Sequence, residues 1–175
     1  MQENKPITHV TAGIIIGAAL ILLSCLTIYL SKGNNTNSAL QWLNYIIMIA
    51  GLIIFINLHG KSKDYRETFG NLFSYGFKTT AVFTLLLLVF VVLFNIIFPD
   101  FKEKGFDMAR QKMEDEGKLS DTQIDQGIQM VKKYFWAFAI GGTILGNLIV
   151  GAIGSLIGAA VTKKRPYNPL DQLNS

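Results

Sequence analysis

Residues 141–160 read GGTILGNLIVGAIGSLIGAA. The stretch has no charged residue and belongs to an apolar run from Phe135 to Val161. It holds six glycines. In water, each glycine inside a helix costs about 1 kcal/mol against alanine. In a bilayer the balance changes, because lipid tails are as apolar as leucine and helices associate by close packing, which small residues permit. A spanning helix needs roughly 20 mostly apolar residues, and this run supplies them. The stretch is read as a membrane helix with smooth faces for neighbouring helices.

Three earlier blocks match it. VTAGIIIGAALILLSCLTIYL covers residues 10–30, ALQWLNYIIMIAGLIIFINL covers 39–58, and TTAVFTLLLLVFVVLFNIIF covers 79–98. None contains Asp, Glu, Lys or Arg. Trp42 and Tyr45 sit near the start of the second block and Tyr134 and Trp136 at the entry to the fourth, as interfacial aromatics do. The LLSC box ending at Cys25 resembles a lipoprotein cleavage site, but the apolar run continues past it through LTIYL. The first block is therefore expected to be a retained helix, with Cys25 unlipidated. Cys25 is the only cysteine, so no intrachain disulfide forms.

Between the third and fourth blocks, residues 100–133 carry seven basic and eight acidic side chains. Phe106, Ala109 and Met113 recur at helical spacing, and Gly117 suits a helix end. Ser120 with Gln123 three residues later forms a capping box ahead of Ile124, Ile128 and Val131. The expected fold is thus an all-α integral membrane bundle of four transmembrane helices, one membrane domain. An extramembrane helical hairpin joins the third and fourth spans, and a basic tail at 163–175 is expected to be disordered.

The chain has 175 residues and a mean hydropathy of +0.36. Its pI of about 9.2 does not point to nucleic acid, because the basic residues flank apolar blocks instead of sharing one polar module. Lys61, Lys63, Arg66 and Lys78 lie in the second loop and Lys163, Lys164 and Arg165 in the tail, whereas the first turn, SKGNNTNS, has only Lys32. Lys5 in the leader adds to the loop side. The positive-inside rule places both termini and that loop in the cytoplasm, and the hairpin outside. These basic residues form a membrane-surface set that either fixes topology or attracts anionic lipid, at about 1 kcal/mol each.

Three glycine pairs have four-residue spacing: Gly13 with Gly17, Gly142 with Gly146, and Gly154 with Gly158. At about 100° per residue, Gly142 and Gly146 point one way, and Gly151, Gly154 and Gly158 cluster roughly opposite. The fourth span is expected to contact two helices, one being the first span through Gly13 and Gly17. Asn147, beside Gly146, reads as an interhelical hydrogen bond or as part of a polar path; the former is the simpler reading. The other interior polar residues are Ser24, Thr27, Thr84 and Ser155, with Asn57 and Asn95 near span ends. No catalytic, cofactor or metal residues are expected. His9 and His59 lie at membrane edges.

The segments KDYRE…GNLFSYGFK, IIFPDFKEK and GAIGSLIGAAVTKKRP resemble the domain-of-unknown-function family four-one-nine-nine, with Tyr65, Arg66, Gly76, Pro99 and Phe101 as its fixed-looking points. The resemblance covers nearly the whole chain. It implies a small multi-pass protein of the bacterial inner membrane and brings no activity, substrate or catalytic residue. The expected function is a membrane interaction or scaffold protein packing through glycine-rich faces, with the lipid bilayer and a second copy or another membrane protein as partners. The alternative is a subunit of a small oligomeric transporter or channel. An enzyme using the hairpin acids ranks last.

Overall fold

A computed structural model describes residues 7–31 and 38–165. Among the described residues there are six helices and no strand. They are α1 (His9–Ser31), α2 (Ser38–Ser62), α3 (Phe69–Ile97), α4 (Pro99–Glu116), α5 (Asp121–Lys133) and α6 (Phe135–Val161). Four of them, α1, α2, α3 and α6, are long and apolar enough to cross a membrane. Lys5, the first turn with Lys32, and the tail beyond residue 165 lie outside the described residues.

The four long helices pack with α1 against α2 and α3, and α6 against α2 and α3, while α2 and α3 touch across the centre. No contact joins α1 to α6. The expected partnership of the fourth span with Gly13 and Gly17 of the first is therefore corrected: these helices occupy opposite corners. The two helices that α6 does contact are α2 and α3.

The densest core lies toward the end of the bundle that carries the α2–α3 loop. Leu52, Phe83, Thr79, Thr80 and Ser155 are completely buried there. The hydroxyls are satisfied within their own helices: Thr79 donates to the Tyr75 carbonyl at 2.9 Å, Thr80 to Gly76 at 3.1 Å and Ser155 to Gly151 at 2.7 Å. This back-bonding lets a hydroxyl sit in an apolar core at little cost.

Two boundaries differ from the sequence reading. α3 begins at Phe69, ten residues before the expected Thr79, because Thr68 caps it: the Thr68 hydroxyl accepts the Asn71 N–H at 3.2 Å. The polar FGNLFSYGFK stretch thereby becomes the first turns of the span. The tail expected to be disordered from 163 is held at its start. The Arg165 N–H donates to the Tyr65 carbonyl at 2.9 Å and Lys164 Nζ to the Ala159 carbonyl at 2.8 Å.

The hairpin follows its local signals. Pro99 opens α4, where its missing N–H costs nothing. Gly117 ends α4 in the left-handed region at φ 60°. The Ser120 N–H donates to Gln123 Oε1 at 2.9 Å. Phe106, Ile124 and Ile128 are buried between the arms. Arg110 crosses from α4 to Asp125 of α5 at 2.7 Å and also binds Glu114 at 2.9 Å. The hydrogen bonds to Glu114 and then Asp125 raise the Arg110 pKa further, so the guanidinium keeps its charge. Replacing Gly117 with alanine puts a Cβ into left-handed backbone and is expected to cost about 1 kcal/mol. Faster hydrogen exchange confined to α4 and α5 is the readout; unchanged exchange there would contradict it.

Candidate functional site

The glycine pattern divides the bundle into a closed end and an open end. A Cβ at Gly151 would collide with Thr80 of α3. One at Gly76 would come within 2.6 Å of Ile56 and 2.7 Å of Ser155 Oγ. Gly154 faces Leu52 at 2.9 Å and Gly158 faces Ile56 at 2.6 Å, both on α2. Gly13 meets Val82 at 2.6 Å and Gly17 meets Leu86 at 2.9 Å, both on α3. Here each smooth face receives a bulkier side chain, not another glycine. Gly142 and Gly146 are different: a Cβ at either would meet nothing within 4 Å. Within this chain they pack against no helix, because they lie on the side of α6 turned away from α2 and α3.

Toward the hairpin end the helices part around a cavity of about 290 Å³. Leu20 and Ser24 of α1, Asn44, Tyr45 and Met48 of α2, Leu87 of α3 and Asn147 of α6 line it. All four spans contribute, and α1 and α6, which do not touch, face each other across it. The Ser24 hydroxyl donates to the Leu20 carbonyl at 2.8 Å, leaving its lone pairs as acceptors. Asn95 and Thr143, also polar and in spans, fold back onto carbonyls of their own helices at 2.8 and 2.7 Å. Among the described residues, none hydrogen-bonds the Asn147 amide.

A second orphan lies at the same level. Across the antiparallel α3–α6 seam, Gly76 faces Ser155 and Thr80 faces Gly151. Moving one turn further along each helix brings Thr84 level with Asn147. Thr84 is 4% exposed and its Oγ1 has no partner. Toward the opposite end, Phe83 and Leu52 have no exposed surface. The polar lining of the recess consists of the Asn44 and Asn147 amides, the Ser24 hydroxyl and the Tyr45 phenol.

The recess gathers Ser24 and Asn147, noted in the sequence for their polarity. It also takes Tyr45, read there as an interfacial aromatic, and Asn44, which the sequence reading did not single out. Asn44 with Met48 on α2 repeats the four-residue spacing of Leu20 with Ser24 on α1, a signal visible only once the helices are known to face each other.

The membrane-surface set of basic residues lies at the opposite end. Lys61, Lys63, Arg66, Lys78, Lys163, Lys164 and Arg165 are all exposed. The Arg165–Tyr65 hydrogen bond ties the second loop to the end of α6, joining two basic segments distant in sequence. Asp64 and Tyr65 make this turn with φ of 53° and 59°, unusual for residues with side chains. His59 stacks on Tyr75 with centroids 4.1 Å apart, and Tyr75 Oη donates to the Ile7 carbonyl at 3.0 Å. Among the described residues, no group of three or more His, Cys, Asp or Glu side chains is placed to hold a metal ion.

Several fixed-looking residues of the family pattern now have physical roles. Gly76 allows close approach of α6, Tyr65 forms the strained turn, Pro99 starts the hairpin, and the Phe101 ring lies 5.4 Å from that of Phe94. No curated protein and no solved structure matches the chain. A family does match, over residues 11–164, and it is described as "Protein of unknown function (DUF4199)". An all-helical chain with four membrane-length apolar helices, matched over nearly all its length, belongs to that family.

Proposed function

We propose that this membrane protein binds a small, uncharged, polar molecule in the recess between its four spans. The observation that supports this reading is the unpartnered Asn147 amide in a cavity that Ser24, Asn44 and Tyr45 also line. A ligand that hydrogen-bonds this amide in the recess gains about 0.5–1.5 kcal/mol net for each bond. The absence of charge in the lining selects against ions. The fully buried Phe83 and Leu52 toward the opposite end favour binding over conduction by a single chain. In this reading the protein sits in a bacterial inner membrane with both termini cytoplasmic, and the recess faces the hairpin side.

The test is thermal unfolding of the purified chain in mild detergent against a panel of uncharged polyols and amides and matched charged solutes. A neutral solute at 100 times its Kd is expected to stabilise by about 2.7 kcal/mol. Asn147→Leu is expected to be at least as stable as the parent without solute and to lose this gain. A gain retained in Asn147→Leu, or matched by charged solutes, rules the reading out.

A second reading is favoured by Gly142 and Gly146. Their face of α6 has the spacing of a close helix contact and is open within the chain. This supports association with a transmembrane helix of another chain, as an interaction protein or as one subunit of an oligomer. The mass of the complex in mild detergent, compared between the parent and Gly142→Leu, tests it.

A further inference from the structure

The ends of all four spans are linked around His59, in the last turns of α2. Its ring lies flat on that of Tyr75 of α3, with centroids 4.1 Å apart and planes 12° apart. Tyr75 Oη in turn donates to the carbonyl of Ile7, just ahead of α1, at 3.0 Å. The next residue, Gly60, is wedged against α6: a Cβ there would come within 2.7 Å of Thr162 Cγ2. The Gly60 carbonyl accepts the Tyr65 N–H at 2.7 Å, and the Tyr65 carbonyl accepts the Arg165 N–H at 2.9 Å. A chain of backbone bonds therefore runs from the residue beside His59, through the loop, to the start of the tail.

The imidazole has no place for a second proton. Among the described residues, none hydrogen-bonds His59 Nδ1, which is buried. In the neutral ring this atom can carry the lone pair, with the proton on Nε2. Protonation turns Nδ1 into a charged donor with nothing to receive it, and a charged group left unpaired and buried carries the larger penalty. The Tyr75 ring cannot receive this N–H, because in two parallel stacked rings the N–H bonds lie in the ring plane and pass the phenol by. The ionisable groups whose charges act on His59 are Glu67 and Lys63 of the loop and His9 of α1. Only Glu67 favours the charged ring, and its carboxylate accepts from Asn71 Nδ2 at 2.7 Å. The residue is part-buried, so protons from solution reach it.

We infer that His59 is a proton-operated latch on the basic end of the bundle. Neutral, it stays stacked on Tyr75 and the chain of bonds from Gly60 to Arg165 is closed. Protonated, the ring moves off Tyr75 to bring Nδ1–H to water. This loosens the Gly60 carbonyl beside it and opens the Tyr65–Arg165 bond. The segment released is the basic start of the tail, Lys163, Lys164 and Arg165, and the pH sensed is that of the aqueous phase at this end.

The test is solution NMR of the full chain in detergent micelles, following the His59 imidazole titration and hydrogen exchange at the Tyr65 and Arg165 amides. Between about pH 8 and about pH 5, exchange at both amides, corrected for its intrinsic pH dependence, is expected to rise about tenfold or more. The rise is expected to share its midpoint with the His59 titration. His59→Phe keeps an aromatic ring on Tyr75 and takes no proton, so its corrected exchange is expected to stay slow across the range. His59→Gln, which also takes no proton, is expected to show no rise either. His9→Gln is expected to keep the rise of the parent. Corrected exchange in the parent that ignores the His59 titration overturns the latch. So does an equal rise in both His59 variants, or loss of the rise in His9→Gln.

Discussion

Gly151→Leu is expected to open the seam between α3 and α6 and to lower stability by about 3 kcal/mol, the upper end of the range for overpacking a well-filled core. Even a single added Cβ at Gly151 collides with Thr80, whose hydroxyl is fixed by its bond to the Gly76 carbonyl. Thr80 cannot turn aside without breaking that bond in an apolar core. The helices must separate, and separation also uncouples Gly76 from Ser155 one turn away. Gly142→Leu makes the same chemical change in the same helix at a position with nothing within 4 Å. It is expected to leave the unfolding midpoint in place while abolishing any assembly that uses this face. Thermal unfolding of both variants in one detergent reads the contrast directly. Equal midpoints would mean that α6 does not pack on α3 as described.

Phe83→Ala is the second large effect expected. Phe83 has no exposed surface and stands at the centre of the closed end with Leu52, Thr79 and Thr80. In water-soluble cores, Phe→Ala costs about 3–5 kcal/mol, as a transfer contribution plus a cavity contribution. In a bilayer the transfer contribution largely disappears, since lipid is as apolar as the core. The lost contacts around the cavity remain. The expected loss is therefore about 2 kcal/mol, smaller than in a soluble protein of equal packing. Equilibrium unfolding of the variant in mixed micelles measures it. A loss below about 0.5 kcal/mol would mean that the space collapses and the closed end is loosely packed. Leu145→Ala, on the exposed face of α6, is the matched control because it leaves no cavity.

The hairpin and the spans were legible for different reasons. Gly117, Ser120 with Gln123, and Pro99 each act on the backbone within a few residues of themselves, so local sequence is enough to read them. The spans followed from length and absence of charge. The start of α3 was missed because its first turns, from Phe69, are polar enough to look like loop, and the Thr68 cap outweighs that composition. The recess was legible only in fragments. Ser24 and Asn147 stood out as polar residues in apolar runs, whereas Asn44 and Tyr45 lie near the polar end of α2 and resembled an ordinary interface.

By itself the sequence determined that four uncharged, membrane-length spans form, where the hairpin turns, and that net positive charge gathers at one end. These outcomes rest on solvation and local backbone geometry, which each segment carries in its own residues. Only the tertiary structure decided that α1 and α6 stand at opposite corners, that Gly13 and Gly17 receive Val82 and Leu86 of α3, and that Gly142 and Gly146 remain open. It also decided that Asn147 shares a cavity with Ser24 and Asn44. The reason is physical. A helix in water marks its buried side by a contrast between polar and apolar residues, but a helix in lipid is apolar on every side, and its partners are chosen by the fit of small surfaces to large ones.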